Sequence, residues 1–242
     1  MILMKDFTRF SRPAGIAKQK KPMRDFKRIT LLCGHYGSGK TNVAVNLAVA
    51  LRERYPRVAV ADLDIVNPYF RSKDSRGQFE DLGIRLICSE YANTNVDLPA
   101  LPQDMYAVTD DKDLRVVIDV GGDDRGALAL GRIAPRILEE KDYEMLAVIN
   151  ASRPLTRTPQ DTVDVLREIE AAGGIPFTGI VNNTNLGRET DPDVIFDSVS
   201  YAETVSNLMS IPVVMTSVPK EIFPKLQGKI ENLFPLELQK KL

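Results

Sequence analysis

From residue 28 onward, short runs of aliphatic and β-branched residues alternate with longer stretches whose apolar positions recur at helical spacing. R-I-T-L-L-C (28–33), R-V-A-V-A (57–61), I-R-L-I-C (84–88), R-V-V-I-D (115–119), M-L-A-V-I (145–149), F-T-G-I-V (177–181) and I-P-V-V-M (211–215) read as seven strands. Several are apolar at consecutive positions, as in strands covered on both faces. Helices are expected at about 41–54, 73–82, 99–108, 125–140, 159–172, 192–209 and from about 220 onward. The fifth helix has clear punctuation: Thr158 as cap, Pro159 in the first position, Asp161 in the third, and Gly173-Gly174 at the end. This rhythm predicts one doubly wound α/β domain over 28–242, with a mostly parallel sheet of about seven strands and helices on both faces. Residues 1–27 stand apart as a basic N-terminal extension.

Charge sharpens that boundary. The net charge of −1 conceals nine basic and two acidic side chains within residues 1–28, which leaves the rest of the chain at −8. The extension reads as a frayed, partly disordered arm, or as a segment that touches an anionic membrane or nucleic acid through its cations and Ile2, Leu3, Phe7 and Phe10. An acidic body argues against a DNA-wrapping surface on the domain itself. Two cysteines, Cys33 and Cys88, cannot make a disulfide framework or a four-thiolate cluster, and the single histidine, His35, excludes His-based metal chemistry. No apolar stretch reaches membrane-spanning length and no secretory signal opens the sequence, so a cytoplasmic protein is expected.

The strongest chemical signal is G-H-Y-G-S-G-K-T at 34–41, a match to G-x-x-x-x-G-K-[ST] lying between a strand and a helix. Such a loop cradles phosphates with successive backbone N–H groups, and its glycines (Gly34, Gly37, Gly39) allow close approach. His35, Tyr36, Ser38 and Asn42 complete the expected nucleotide-binding segment. Lys40 supplies charge to the terminal phosphates, and the Thr41 hydroxyl is the expected Mg²⁺ ligand. Two acidic elements end strands that should converge on the loop: Asp62-Leu63-Asp64 and Asp119-Val120-Gly121-Gly122. Asp119 and Asp62 are candidate metal-holding carboxylates, and Gly122 could offer its N–H to a γ-phosphate. Carboxylates in such places also serve as helix caps and loop formers.

Together these residues resemble the MinD/ParA/CobQ branch of the SIMIBI class of P-loop nucleotidases. The resemblance spans about residues 28–220. It rests on the loop followed by N-V-A-V-N-L-A, on V-A-V-A-D-L-D-I, V-V-I-D-V-G-G, G-I-V-N-N and S-V-P-K-E. It implies ATP and Mg²⁺ as cofactors and a catalytic set of Lys40, Asp64 and Asp119, with Asp64 positioning the attacking water. It also implies adenine contacts from Asn183 (or Asn182) and from the backbone of Val218 and Pro219. Asn183 can equally be a turn former in N-N-T-N.

The family's second, signature lysine falls at the position of His35. His35 is therefore a phosphate or partner contact, a structural filler of the loop, or a protonation-sensitive switch, and Arg125 or Arg71 is a candidate replacement charge. The cysteine motifs of cluster-bearing relatives are missing, so no intrinsic iron–sulfur cluster is expected.

The resemblance implies a slow ATPase working as a nucleotide-dependent switch, with a nucleotide-dependent homodimer and a protein client that the sequence does not name. ATP is preferred over GTP because Asn150-Ala151-Ser152-Arg153 lacks the lysine and aspartate of a guanine-reading N-K-x-D. The alternatives are a maturation ATPase for a metalloenzyme, a small-molecule ligase of the CobQ/dethiobiotin synthetase type, and a positioning module held to a membrane or nucleoid by its basic tail or its C-terminal helix, the helix running to the end of the sequence. Pro235 interrupts that helix.

Overall fold

The computed structural model describes residues 24–64, 77, 79–88, 103–122 and 124–238, without the side chains of Gln103, Asp124 and Arg125. Eight strands form one sheet: β1 (Ile29–Cys33), β2 (Val58–Leu63), β3 (Ile84–Cys88), β4 (Arg115–Val120), β5 (Tyr143–Ile149), β6 (Gly179–Asn182), β7 (Val213–Pro219) and β8 (Leu233–Leu236). Their order is β3-β2-β4-β1-β5-β6-β7-β8, and every pairing is parallel. The expected doubly wound α/β architecture is present, with one strand more than the seven read from the sequence.

Successive strand residues feed two cores. Ile29, Leu31 and Cys33 of β1 pack into one cluster, and Leu32 into the other. In β5 Met145, Ala147 and Ile149 face the first cluster, and Leu146 and Val148 the second. A period of two with apolar residues on both sides yields the unbroken runs seen in the sequence. Against the first face lie α3 (Asp124–Glu140), α4 (Pro159–Gly173) and α5 (Pro192–Met209); against the second lies α1 (Lys40–Arg52). A one-turn helix, α2 (Ala107–Asp110), follows a 3₁₀ turn at Gln103–Tyr106.

Helix α4 starts as its sequence dictates. The Asp161 amide donates to the Thr158 hydroxyl at 3.1 Å, and Gly174 closes the helix in the left-handed region (φ 69°). Only fragments of the expected helices at 73–82 and 99–108 fall among the described residues, and Arg71 and residues 1–23 lie outside them.

The helix expected from residue 220 is absent as such. One turn, α6 (Phe223–Leu226), is followed by β8, whose L-F-P-L pairs Thr216–Pro219 of β7. The C-terminal segment is therefore a sheet edge across 233–236 rather than an amphipathic membrane helix. Pro235 is tolerated there because an edge strand leaves one side of its backbone without a ladder partner, while Phe234 and Leu236 pack into the second core. Among the described residues, no helix is long and apolar enough to cross a membrane.

Buried polar side chains mark both ends of the sheet. At the strands' N-terminal end, Glu144 of β5 accepts from the Lys27 amide (2.8 Å) and the Thr30 hydroxyl (3.2 Å), and it pairs with Arg24. Phe26 is buried in the second core, so the chain is already packed two residues after Arg24. At the C-terminal end Asp62, Asp64, Asp119, Asn150, Asn182, Asn183 and Ser217 are all buried. That end, where ligands enter open parallel sheets, holds the glycine loop.

Candidate functional site

The glycine loop leaves β1 in the centre of the sheet and enters α1 at Lys40, so the helix N-terminus faces the turn. Gly34 and Gly122 are among the glycines that close approach requires. Gly34 has φ 148°, and a Cβ there would stand 2.3 Å from the Val148 carbonyl oxygen. At Gly122 a Cβ would meet the Tyr36 nitrogen at 2.6 Å and Lys40 Nζ at 2.8 Å. The loop after β4 therefore presses against both the first residues of the glycine loop and its lysine.

Lys40 is only 5% exposed, and its ammonium donates to the His35 carbonyl at 3.2 Å. The Thr41 hydroxyl donates to Asp119 Oδ2 at 2.6 Å. Asp119, 1% exposed, keeps its other oxygen, Oδ1, buried without a hydrogen bond. Burial raises this carboxyl to about pH 6, against the pull of Lys40 and the Thr41 hydrogen bond and with a further push from Asp64. A carboxylate held in that state gains from any cation that settles on Oδ1.

Asp62 lies beside Asp119 in the β2–β4 register, and its Oδ1 accepts the Asp64 amide at 2.8 Å. It shapes the turn that carries Asp64, which is itself 8% exposed. Among the described residues no three carboxylate, thiol or imidazole groups converge into a metal cage. The donors present suit an ion that takes one hydroxyl and one carboxylate from the protein and the rest from phosphates and water, as Mg²⁺ does.

The other side of the loop is tied to β6 and β7. Asn183 Nδ2 donates to the Ser38 carbonyl at 2.6 Å, while its Oδ1 accepts from the Ser217 hydroxyl. Both ends of this amide are thus engaged within the protein. Asn182 turns the opposite way, donating to Ser198 Oγ at 2.8 Å. Val218 is buried with Ile195 and Leu226, and the backbone of Val218 and Pro219 runs beside Pro235 and Leu236 of β8. Asn42 lies in the first turn of α1, its carbonyl accepting from Asn46 Nδ2 at 2.8 Å. Ser38 Oγ is buried without a partner. The His35 Nδ1–H donates to the Tyr36 carbonyl at 2.8 Å, and the Tyr36 ring is exposed.

The structure thus gathers Lys40, Thr41, Asp62, Asp64, Asp119 and Gly122 on the β4 side of the loop, and Asn183 on the β6 side. Two residues were not singled out as site residues by the sequence. Ser217 stands immediately before the Val218-Pro219 pair and locks Asn183. Arg153, in a segment scanned only for a guanine motif, donates from Nε to the Gly37 carbonyl at 2.8 Å. Cys33 is buried at the end of β1, its thiol pushed far up by burial, and Cys88 is half-buried.

The family model described as "CobQ/CobB/MinD/ParA nucleotide binding domain" matches residues 29–210. No curated protein matches the sequence. Among solved structures, the cell division protein FtsY of Thermotoga maritima aligns with a TM-score of 0.52 at 19% identity, covering 81% of this chain and 63% of that one. The signal recognition particle 54 kDa protein of Aeropyrum pernix, in complex with GDP, aligns with a TM-score of 0.51 at 18% identity over 82% of this chain and 42% of that one. FtsY of Mycoplasma mycoides gives 0.50 at 20% identity, covering 81% and 63%. The chain spans less than two thirds of these proteins, and at such identities the likeness is one of fold.

Proposed function

The chain belongs to the CobQ/CobB/MinD/ParA nucleotide-binding family, and from that premise we propose that this SIMIBI-class P-loop nucleotidase is a Mg²⁺-dependent ATP-binding protein and slow ATPase that acts as a nucleotide-dependent switch. One observation carries the reading. A buried lysine and a threonine hydroxyl locked onto a buried, half-partnered carboxylate stand at the mouth of a glycine loop. That arrangement is electrostatically incomplete without a bound anion and a bound cation.

Thr41 and Asp119 hold the metal, with Asp62 fixing the turn behind them. Mg²⁺ arriving with the nucleotide supplies charge neutralisation on the phosphate oxygens. Lys40 carries the protein's own charge to the terminal phosphates, Gly122 offers its N–H, and Asp64 orients the attacking water. Asn183 and the backbone at Val218 and Pro219 form the base side. Beyond its bonds to the Ser38 carbonyl and the Ser217 hydroxyl, the Asn183 amide keeps a second N–H and a second lone pair, and these are what would meet a base. ATP is favoured over GTP because the turn after β5 carries Asn-Ala-Ser-Arg.

The test is solution mass by light scattering with Mg²⁺-ATP, Mg²⁺-ADP, Mg²⁺-GTP and no nucleotide, on the protein and on Lys40→Ala and Asp64→Ala, alongside calorimetric binding. The expected result is tighter binding of ATP than GTP, loss of binding in Lys40→Ala, and a doubled mass with Mg²⁺-ATP that persists longest in Asp64→Ala. An unchanged mass despite bound ATP would overturn the dimer switch. Absence of any nucleotide binding would overturn the whole reading.

A further inference from the structure

The turn after β5 is built more firmly than a connection between a strand and a helix requires. Asn150, fully buried, accepts from the Ser152 amide on Oδ1 (3.0 Å) and from the Thr156 hydroxyl (2.8 Å) and Arg153 amide (3.2 Å) on its carbonyl. The Thr156 amide donates back to the Arg153 carbonyl at 3.2 Å, opening the 3₁₀ turn at Pro154–Thr156. The residue held by this turn is Arg153, and its side chain lies across the crest of the glycine loop. Nε donates to the Gly37 carbonyl, and Nε and Cδ stand 3.7 and 3.8 Å from where a Gly37 Cβ would be. Among the described residues no carboxylate pairs with Arg153, and its two Nη groups have no hydrogen-bond partner.

Charge gives the placement its meaning. Lys40 is the loop's own cation, and its charge acts on the buried Asp119 at the C-terminal end of the sheet, where Asp62 and Asp64 are buried as well. A nucleotide brings a polyanion into that field. Arg153 is a second cation in contact with the loop, and it comes from the turn after β5, on the opposite flank of β1 from Asp119. A guanidinium anchored by Nε keeps the two-pronged Nη edge that suits phosphate oxygens.

We propose that Arg153 is a second, intrinsic phosphate-binding cation of this site, held in place by the Asn150 turn and the Gly37 carbonyl, and directed at the phosphate chain from the β5 side. This rests on the nucleotide-binding reading above and deepens it. The charge that the loop lacks at His35 is then supplied within the same chain rather than by a partner.

The experiment compares wild type, Arg153→Gln and Arg153→Lys by calorimetry with Mg²⁺-ADP and a non-hydrolysable Mg²⁺-ATP analogue, at low and high salt, alongside melting of the nucleotide-free proteins. Loss of a charge-assisted phosphate contact in Arg153→Gln should weaken binding roughly tenfold to a hundredfold and flatten its salt dependence. Arg153→Lys should recover part of the affinity and the salt dependence, because it keeps the charge. Nucleotide-free melting temperatures should stay together.

Binding by Arg153→Gln within about twofold of wild type, with the same salt dependence, overturns the proposal and leaves the nucleotide reading intact. Equal losses in the glutamine and lysine variants, with a lowered melting temperature, overturn it in favour of a brace for the loop. If wild type binds neither nucleotide, both readings fail.

Discussion

At the scale of single residues, the site is defined by what its buried polar atoms lack. The Asp119 carboxyl sits at about pH 6 rather than at its ordinary 3.8 because burial costs the charged form more than Lys40 and Thr41 return. The folded protein therefore binds a proton that the unfolded chain releases between about pH 4 and 6, and stability falls as pH rises across that window, levelling off above it. At 1.36 kcal/mol per unit, the cost on the upper plateau is about 3 kcal/mol. Asp119→Asn keeps an acceptor for Thr41 and removes the charge. The metal-free variant should accordingly melt above wild type at pH 7.5, and the gap should close by pH 4, as followed by circular dichroism. If Asp119 holds Mg²⁺ as proposed, addition of Mg²⁺ and nucleotide should reverse the order at pH 7.5, because the asparagine offers the ion no charge.

Much of this was legible in the sequence because its grammar is local. The glycine pattern, the lysine and the threonine are contiguous, and Asp119 announces itself by ending an apolar strand. The couplings of Asn183 to Ser38 and Ser217, and of Arg153 to Gly37, join residues between 34 and 145 positions apart. Nothing in the spacing of Asn-Asn-Thr-Asn or Asn-Ala-Ser-Arg encodes which loop lies opposite. Those contacts exist only once the strand order sets β1 beside β5 and β5 beside β6.

At the scale of elements, legibility follows length and punctuation. The Thr158-Pro159-Asp161 start of α4 was readable because cap, proline and first-turn acid are each tied to a fixed position. Thr158→Ala, which removes the acceptor for the Asp161 amide, should cost about 1 kcal/mol in urea unfolding. Strand β8 was not readable. Four residues are too few to show a period of two, and Leu-Phe-Pro-Leu joins apolar residues on either side that mimic an interrupted helix. Tertiary packing decides the outcome: Phe234 and Leu236 fill the core beneath β7. Phe234→Ala should lower unfolding stability by about 3 kcal/mol, with the urea slope unchanged. A loss below about 0.5 kcal/mol would mean that the edge strand contributes little.

At the scale of the whole molecule, two cores lie back to back across one sheet, and Cys33 sits in the first of them at the central strand. Its thiol is fully buried and held protonated by that burial, so it reacts with a disulfide reagent only when the domain opens globally. Its labelling rate, measured in Cys88→Ser, should match the global unfolding rate under fast-reagent conditions. It should fall further with saturating Mg²⁺-nucleotide, because ligand that binds only the folded state suppresses opening. Rapid labelling in native buffer would contradict the closed core.

The Glu144 clasp has a practical consequence of another kind. It fastens the chain's entry, from Arg24 to Thr30, to the end of β1 and β5 where the strands begin, while the glycine loop opens where they finish. A five-residue strand separates the two ends by about 17 Å. A tether joined ahead of Arg24 therefore enters the fold on the far side from the nucleotide. A molecule immobilised on a sensor chip in that way would present its phosphate loop to the flowing solution, whereas attachment through the turns after β5 or β6 would seal the mouth it is meant to interrogate.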